Sequence, residues 1–201
     1  MARSTEVCNL AMSHLGVAKE IADVETEQSQ EAVTCRRFYR DALKCVFRDF
    51  PWSFATRTQA LALVAENPDA EWSYSYAYPT DCSRLNKIQS GTSFDNRSTR
   101  VNYRLENNGS QLLIYTNQQN AVAEFVQYTE NIDLYPPDFK MAFSFFLAAL
   151  TAPRLTKGDP FKMKSEMMAM YYQWLSEAKA NGLNEEQWPS EPPSDLIRGR
   201  E

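Results

Sequence analysis

The hydrophobic period of this sequence changes twice, and that change constrains the fold more than any other feature. Near both ends of the chain, apolar side chains recur every three or four residues, as they do along one face of a helix. Between Trp72 and Tyr128 the period becomes strand-like, with Val101, Tyr103 and Leu105 alternating with polar residues. A chain of 201 residues is long enough to bury a core around both kinds of element. We therefore predict an α+β protein.

Two helices are predicted before the strand-like region. Ser4 can cap the first helix, and Gly16 stands where the left-handed residue that often ends a helix is needed. The second helix carries its apolar side chains on one face and ends at Pro51, because proline cannot continue a helix.

Two more helices are predicted after the strand-like region. The third begins at Pro136 and is apolar almost all round, which predicts a central position, and Pro153 is expected to kink or interrupt it near its end. The fourth begins after Asp159 and ends at Gly182. We expect these two helices to join the first pair as a four-helix bundle.

The strand-like region is expected to form an antiparallel β-sheet inserted into the bundle. Asn108-Gly109 is typical of a type I′ hairpin turn, and the polar stretch Gln89–Thr99 predicts an exposed loop. The chain after Gly182 is rich in proline and charge, which predicts an extended C-terminal arm. The predicted organisation is a helical bundle at residues 1–51 and 136–182, a β insertion at 52–135 and the arm at 183–201.

Charge and hydropathy exclude several classes of protein. The net charge is −5, which gives none of the attraction to phosphate that drives most nucleic-acid binding. The most apolar run, Met141–Ala152, is shorter than the roughly 18 to 20 residues that span a bilayer, so no membrane association is expected. The N-terminus has no apolar segment typical of a signal peptide, so we expect synthesis in the cytoplasm.

The cysteines and the single histidine do not form a metal-binding pattern. No two cysteines are spaced as C-x-x-C, and His14 alone cannot complete a zinc site with two cysteines and two histidines. Neither a metal nor a cofactor is expected. Within one helix, Cys35 and Cys45 would be separated by about 15 Å, too far for a disulfide. We expect all the cysteines, Cys8, Cys35, Cys45 and Cys82, to be reduced and mostly buried.

The sequence lacks the common catalytic motifs. The sequence has no glycine-rich phosphate loop, α/β-hydrolase motif or zincin motif, so a structural role is favoured over an enzyme. A thiol nucleophile pairing His14 with Cys8 or Cys82 is less favoured than simple burial of the cysteines. An acidic cluster can in principle hold a glycosidase acid/base pair, although such carboxylates before a helix are more often solvated. The cluster consists of Asp23, Glu25, Glu27 and Glu31.

Three short segments stand in a characteristic order along the chain. They are EVCNLA at residues 6–11 leading to Leu15-Gly16, FPWSFA at 50–55, and YAYPTDCSR at 76–84. Together they resemble the head-to-tail adaptor (connector) proteins of short-tailed phages, also called the tail tubular protein A family. The resemblance continues into Leu147–Ala149 and includes Tyr171 and Ala178, so it covers about residues 4–180.

This resemblance implies a structural virion protein without a reaction of its own. It implies a homo-oligomeric ring of about twelve copies at the head–tail junction, joining the portal protein of the capsid to the tail nozzle protein. Double-stranded DNA would pass through the ring without sequence-specific binding, and about twelve copies at −5 each would repel its phosphates. The alternatives are a virion-associated cell-wall hydrolase using carboxylates such as Glu25 and Glu31, or a non-viral protein-interaction module.

Candidate contact residues fall into three groups. The arm is expected to bind the portal through Trp188, Leu196, Ile197, Arg198 and Arg200. The hairpin tip and the exposed loop are expected to face the nozzle, with Phe94, Arg97, Asn107 and Asn108 as the candidates. The motif residues are expected to have structural roles; they are Asn9, Trp52, Phe54, Tyr78, Pro79, Asp81 and Arg84.

Overall fold

The structure, a computed structural model, describes residues 2–91, 99–156 and 158–185. Within these ranges the protein is α+β, with four α-helices and two antiparallel sheets that contain seven strands. The chain divides into two compact units. The helical unit contains the chain up to Thr56 together with Val126–Asn184, and the sheet unit contains Arg57–Phe125.

The helices begin and end at residues suited to those positions. Ser29 accepts a hydrogen bond from the backbone N–H of Ala32, and Asp159 accepts two from the first turn of the last helix. Gly16 has a φ of +70°, the left-handed conformation predicted for it. The helices are α1 (Ala2–His14), α2 (Gln30–Asp49), α3 (Pro137–Leu155) and α4 (Pro160–Glu185), with short 3-10 turns at Ser53–Ala55 and Ile132–Leu134.

Three helix ends differ from the predictions. α1 begins at Ala2, so Ser4 lies inside the helix and does not cap it. α3 is not interrupted at Pro153 but continues to Leu155, because the fixed φ of proline is compatible with a helix that ends two residues later. α4 continues through Gly182 to Glu185. Gly182 is therefore part of the helix and not its end. A Cβ atom on Gly182 would lie 3.6 Å from Cε1 of Phe50, which is an ordinary contact.

The predicted four-helix bundle is wrong. In such a bundle, four helices share one core and each contributes a regular apolar stripe. Here α3 packs against α1 and α2, but residues outside the helices also cover it, and Trp52, Val126 and Ile132 belong to the same core. The apolar surface around α3 correctly indicated a central helix. That pattern could not indicate that residues outside the helices pack against part of α3.

The predicted single inserted sheet is also wrong, because the strands form two sheets. One has the strand order β1-β7-β4 and the other β2-β3-β6-β5. In the sheet of four, all neighbouring strands are antiparallel. The strands are β1 (Thr56–Ala60), β2 (Leu63–Glu66), β3 (Tyr74–Ala77), β4 (Cys82–Ile88), β5 (Tyr103–Asn107), β6 (Leu112–Thr116) and β7 (Val122–Gln127).

The core of the sheet unit lies between faces of the two sheets. Tyr76 and Ile114 are paired across β3 and β6, and both are buried. Leu85 on β4 and Phe125 on β7 belong to the same apolar cluster. Each sheet therefore supplies one wall of a thin apolar layer.

The predicted hairpin is confirmed, since β5 and β6 pair in register from Asn107 opposite Leu112 onward. Its predicted type I′ turn at Asn108-Gly109 is wrong, because that turn needs a positive φ at both residues and Asn108 does not have one. The hydrogen bond from the N–H of Asn108 to the carbonyl of Gln111 centres the turn on Gly109-Ser110 instead.

Candidate functional site

The motif residue Asn9 joins two segments of the helical unit. Its side-chain amide donates a hydrogen bond of 2.9 Å to the carbonyl of Ile21, and its carbonyl oxygen accepts one of 2.8 Å from the N–H of the same residue. Nearby, the Thr5 hydroxyl accepts from the N–H of Val24. Because one amide side chain satisfies both backbone groups of Ile21, the chain after α1 is fixed against that helix.

The motif residues Trp52 and Phe54 lie at the end of α2. Trp52 is 3% exposed, and its indole N–H donates to the carbonyl of Val46 at 2.9 Å, which satisfies an acceptor in the last turn of the helix. The rings of both Trp52 and Phe54 lie 4.9 Å from the ring of Phe139 at steep angles, the preferred edge-to-face geometry. The FPWSFA motif therefore joins α2 to α3.

The motif residues of the third segment stabilise a turn in the sheet unit. The N–H of Cys82 donates to the carbonyl of Pro79, and the Cys82 thiol donates to the hydroxyl of Tyr78. The carboxylate of Asp81 lies 3.7 Å from the guanidinium of Arg57 on β1. Arg84 follows on β4 with an exposed side chain. These contacts position β4 beside its turn.

The nozzle-facing candidates Asn107 and Asn108 lie at the exposed tip of the β5–β6 hairpin. Their side-chain carbonyls accept hydrogen bonds from the backbone of Gly109, Ser110 and Gln111. Gly109 has a φ of +91°. The remaining candidates for partner contacts lie outside the described residues; they are Phe94, Arg97, Trp188, Leu196, Ile197, Arg198 and Arg200.

The single histidine contacts a serine that the sequence did not single out. His14 Nε2 lies 3.0 Å from the hydroxyl of Ser144, and its ring stacks on Phe145 at 3.8 Å. The Ser144 hydroxyl donates its hydrogen bond to the carbonyl of Met141, so towards His14 its oxygen acts as the hydrogen-bond acceptor. Burial lowers the pKa of His14. A catalytic serine would need the opposite direction of donation, so this contact is structural.

The surroundings of the candidate cysteine nucleophiles do not activate their thiols. Cys8 is buried against Cys35, and the hydrogen bond between the two thiols together with burial raises the pKa of Cys8 far above its usual value. Burial also raises the pKa of Cys82. Cys45 is exposed, contrary to the expectation that the cysteines are mostly buried. A nucleophilic thiol needs a lowered pKa, and burial has the opposite effect here.

The acidic cluster is engaged in the loop before α2. Asp23 accepts hydrogen bonds from the N–H of Glu25 and the hydroxyl of Thr26, and these bonds lower its pKa. The Ser29 hydroxyl and a backbone N–H lower the pKa of Glu27, and the N–H of Glu31 lowers the pKa of Glu31. A glycosidase acid requires a raised pKa. These carboxylates are therefore suited to stabilising a loop.

The described ranges contain neither a cluster of metal-binding side chains nor a helix suited to crossing a membrane. No group of three or more histidine, cysteine, aspartate or glutamate side chains within them is arranged to hold a metal ion. Among the helices described there, none combines the length and the apolar character needed to cross a bilayer.

One face of α4 exposes large apolar side chains. Phe161, Tyr172 and Leu183 are 76%, 60% and 54% exposed, although large apolar side chains are ordinarily buried. They are eleven residues apart, about three helical turns, so all three lie on one side of the helix. We call this surface the outer face of α4. Its exposed side chains are Phe161, Ser165, Ala169, Tyr172, Ser176, Ala180 and Leu183.

The side chains of the outer face of α4 are themselves uncharged, and lysines border the face on both edges, because Lys179 lies at the helical angle of Phe161 and Lys162 at that of Ala180. The ends of the face are about 33 Å apart at the usual rise per residue. On the buried side of the same helix, Tyr171 packs on Phe146 with ring centroids 4.8 Å apart, and Leu175 and Ala178 are also buried. α4 therefore presents apolar groups on two sides, and the described helical unit covers one of them.

Comparisons with protein-family models and with curated proteins find no match to this chain.

Proposed function

We propose that this protein is a structural subunit of an oligomeric ring that joins the capsid portal to the tail nozzle of a short-tailed phage and surrounds the DNA passage. The three motif segments carry the resemblance to that family, and Asn9 and Trp52 within them hold the fold together by hydrogen bonds to backbone. Motif residues with such structural contacts are what a scaffold protein requires, since it has no reacting group to position.

The observation that carries the proposal is the outer face of α4. A helix that is apolar on two sides is stable in water when a second surface covers the other side. Large side chains at Phe161, Tyr172 and Leu183 alternate with serine and alanine, and such relief allows another surface to pack between them. In the proposed ring, a neighbouring copy covers this face, because a head-to-tail ring needs a contact patch on each subunit.

The remaining contacts follow the same proposal. The hairpin tip with Asn107 and Asn108 and the loop at residues 89–99 face the nozzle, and the chain after α4, residues 186–201, binds the portal. Each copy carries a charge of −5, so a ring of about twelve would carry roughly −60. Such a ring would repel phosphates and let the genome slide.

Mixing the protein with its cognate portal tests the proposal. We expect electron micrographs to show a ring of additional density on one end of the portal, and native mass measurements to show a multiple of the 23.1 kDa subunit. Tyr172→Lys should prevent ring formation without unfolding the subunit, because the side chain is exposed. Gln173→Lys, one residue away and off the outer face, is the control. A protein that stays monomeric with and without portal would refute the proposal.

A further inference from the structure

The strand β5 forms an open edge of the four-stranded sheet. The strand order is β2-β3-β6-β5, so β6 lies on one side of β5, and within the described residues no strand lies on the other. Edge strands are ordinarily protected from association by lysine, proline or a β-bulge. β5 contains neither residue type and pairs with β6 without a shift of register, whereas the register of β2, the other edge, shifts between Leu63 and Ala65. β5 is therefore the edge that can accept a further strand.

The hydrogen bonds of the hairpin show which backbone groups of β5 face the open side. The N–H of Asn108 donates to the carbonyl of Gln111. Hydrogen-bonded and non-hydrogen-bonded pairs alternate along an antiparallel ladder, so Glu106 and Arg104 are the residues of β5 that bond to β6. The N–H and C=O groups of the other three residues point away from β6. These residues are Tyr103, Leu105 and Asn107.

The sequence of β5 is self-complementary about Leu105. When two β5 strands pair antiparallel with Leu105 facing its own copy, Arg104 faces Glu106 and Tyr103 faces Asn107. Arg104 and Glu106 then form a non-hydrogen-bonded pair, the kind in which facing side chains are closest. A shift of the register by two residues would place Arg104 opposite Arg104, or Glu106 opposite Glu106. The charges therefore select one register, which has two-fold symmetry.

The surroundings of Arg104 can accept a second positive charge. Its Nη2 lies 2.8 Å from a carboxylate oxygen of Glu106 and 3.1 Å from one of Asp69, and its Nη1 lies 3.2 Å from one of Glu71. The guanidinium lies over the ring of Tyr115, 5.4 Å from its centroid. One positive charge thus faces three negative charges, and the arginine of a second copy would reduce this excess. Because these groups are partly exposed, we expect them to set the register more than the affinity.

The other face of the sheet carries an apolar row that ends at the same edge. Leu105 is paired with Ile114 on β6, and Ile114 is paired with Tyr76 on β3. Ile114 and Tyr76 are buried, whereas Leu105 is 44% exposed. In the two-fold contact, Leu105 packs beside Leu105 of the second copy, so both side chains lose apolar surface to water. The row then continues from one sheet into the other.

We propose that two copies of this chain associate through β5, in an antiparallel two-fold contact centred on Leu105 that joins their four-stranded sheets into one sheet of eight strands. The contact is isologous, so it closes with two copies. It is distinct from the head-to-tail contact of the proposed ring and does not rest on that ring. Each strand contributes only five residues, so the free chain forms a weak dimer.

Cysteine cross-linking of the full chain tests this contact. Two facing Leu105 residues would have Cα atoms about 5.5 Å apart, a separation that a disulfide can bridge. The tested protein carries Leu105→Cys together with Cys45→Ser, which removes the exposed native thiol. The matched control is Leu63→Cys in the same background, because Leu63 is exposed to a similar extent on the other edge of the sheet. Mild oxidation should link Leu105→Cys about tenfold faster than the control, since the contact holds its thiols together.

Two charge variants of the Leu105→Cys protein test the register. Glu106→Lys places a lysine opposite Arg104 of the second copy, and Arg104→Glu places a glutamate opposite Glu106. Each variant alone should cross-link about tenfold more slowly, because two like-charged pairs then face each other. A mixture of the two variants should form mixed dimers preferentially, because both pairs then have opposite charges. Mass spectrometry distinguishes the mixed dimers from the two kinds of self-dimer.

Several results would overturn the proposal. One is cross-linking of Leu63→Cys as fast as that of Leu105→Cys, which would indicate random collision. Another is a disulfide between positions 63 and 105 in a mixture of these two proteins, which would show head-to-tail pairing of the edges. Random proportions of self-dimers and mixed dimers would exclude the register. Sedimentation of the unmodified chain should show twice the 23.1 kDa subunit mass at high concentration. A monomer at about 1 mM, where even weak complexes form, would also overturn the proposal. No portal is present in these experiments, so their failure leaves the proposed function standing.

Discussion

The helical unit and the sheet unit bury their aromatic side chains in different ways. In the helical unit, Phe139 is the centre of a cluster, with four other rings at centroid distances of 4.9 to 5.3 Å. In the sheet unit, the buried aromatics Tyr76 and Phe125 pack among aliphatic side chains, and the tyrosines at the edge of the cluster are only partly buried, with the ring of Tyr74 6.3 Å from that of Tyr76. Stability is therefore concentrated around one ring cluster in the first unit and distributed along a thin layer in the second.

The two tryptophans Trp52 and Trp72 provide the strongest test of this comparison. Trp52→Ala should cost about 3 to 5 kcal/mol of the free energy of unfolding, because it empties a buried site and removes the bond to the Val46 carbonyl. Trp72, in the sheet unit, is half-buried, and its indole N–H has no partner within the described structure. Trp72→Ala should therefore cost clearly less. Urea unfolding of both variants measures the difference.

Equal losses of unfolding free energy in the two tryptophan variants would contradict this difference between the two units. They would mean that the sheet unit depends on a single aromatic side chain as strongly as the helical unit does. Hydrogen exchange locates the effect, since Trp52→Ala should first increase exchange at the end of α2 and in α3.

A pair of residues on neighbouring strands tests the sheet unit itself. Ile114 on β6 and Leu105 on β5 stand directly opposite each other, yet Ile114 is fully buried and Leu105 is 44% exposed. Ile114→Ala should cost about 2 to 5 kcal/mol, since it leaves a cavity between the sheets. Leu105→Ala is the control, and thermal unfolding should show a smaller loss. A larger loss at Leu105 would place the main layer of contacts at the sheet edge.

Local sequence signals predicted the ends of the elements better than their arrangement. Gly16 was identified because a helix end requires a left-handed residue at a single position. The β5–β6 hairpin was also identified, although its turn is centred on Gly109-Ser110, one residue later than predicted. β1 and β2 were not identified, since Thr56–Ala60 is polar and every residue of Leu63–Glu66 is exposed. β2 pairs with the next strand, β3, whereas β1 pairs with β7, far along the chain, and the hydrophobic period reports neither pairing.

The candidate site was also only partly predictable. Asn9 was expected to have a structural role, and its two bonds to Ile21 agree with that expectation. The open edge of β5 was not identified, because an alternating pattern predicts a strand but not its position in the sheet. The contact of His14 with Ser144 spans 130 positions and has no local signal.

Asn9 provides a smaller test on the helical side. Asn9→Ala should cost about 1 to 3 kcal/mol, because it leaves the N–H and the carbonyl of Ile21 without their partner. Chemical unfolding measures the loss. The control is Ser13→Ala, whose hydroxyl bonds only to a carbonyl within its own exposed helix face. If the two variants lose similar stability, the connection between α1 and the following loop is weaker than these bonds indicate.

The smallest expected effect concerns pH and the loop before α2. Hydrogen bonds from the N–H of Glu25 and the hydroxyl of Thr26 lower the pKa of Asp23 in the folded protein. A lowered folded-state pKa contributes stability that is complete above the unfolded value and is lost as the pH falls through the folded value. Asp23→Asn should therefore flatten the dependence of the urea midpoint on pH below about 4. Thr26→Val, which removes one of the two donors, should give an intermediate slope. Because Asp23 lies in a surface loop, both changes should be small beside those at Trp52, and an unchanged slope in Asp23→Asn would show that these bonds also form in the unfolded chain.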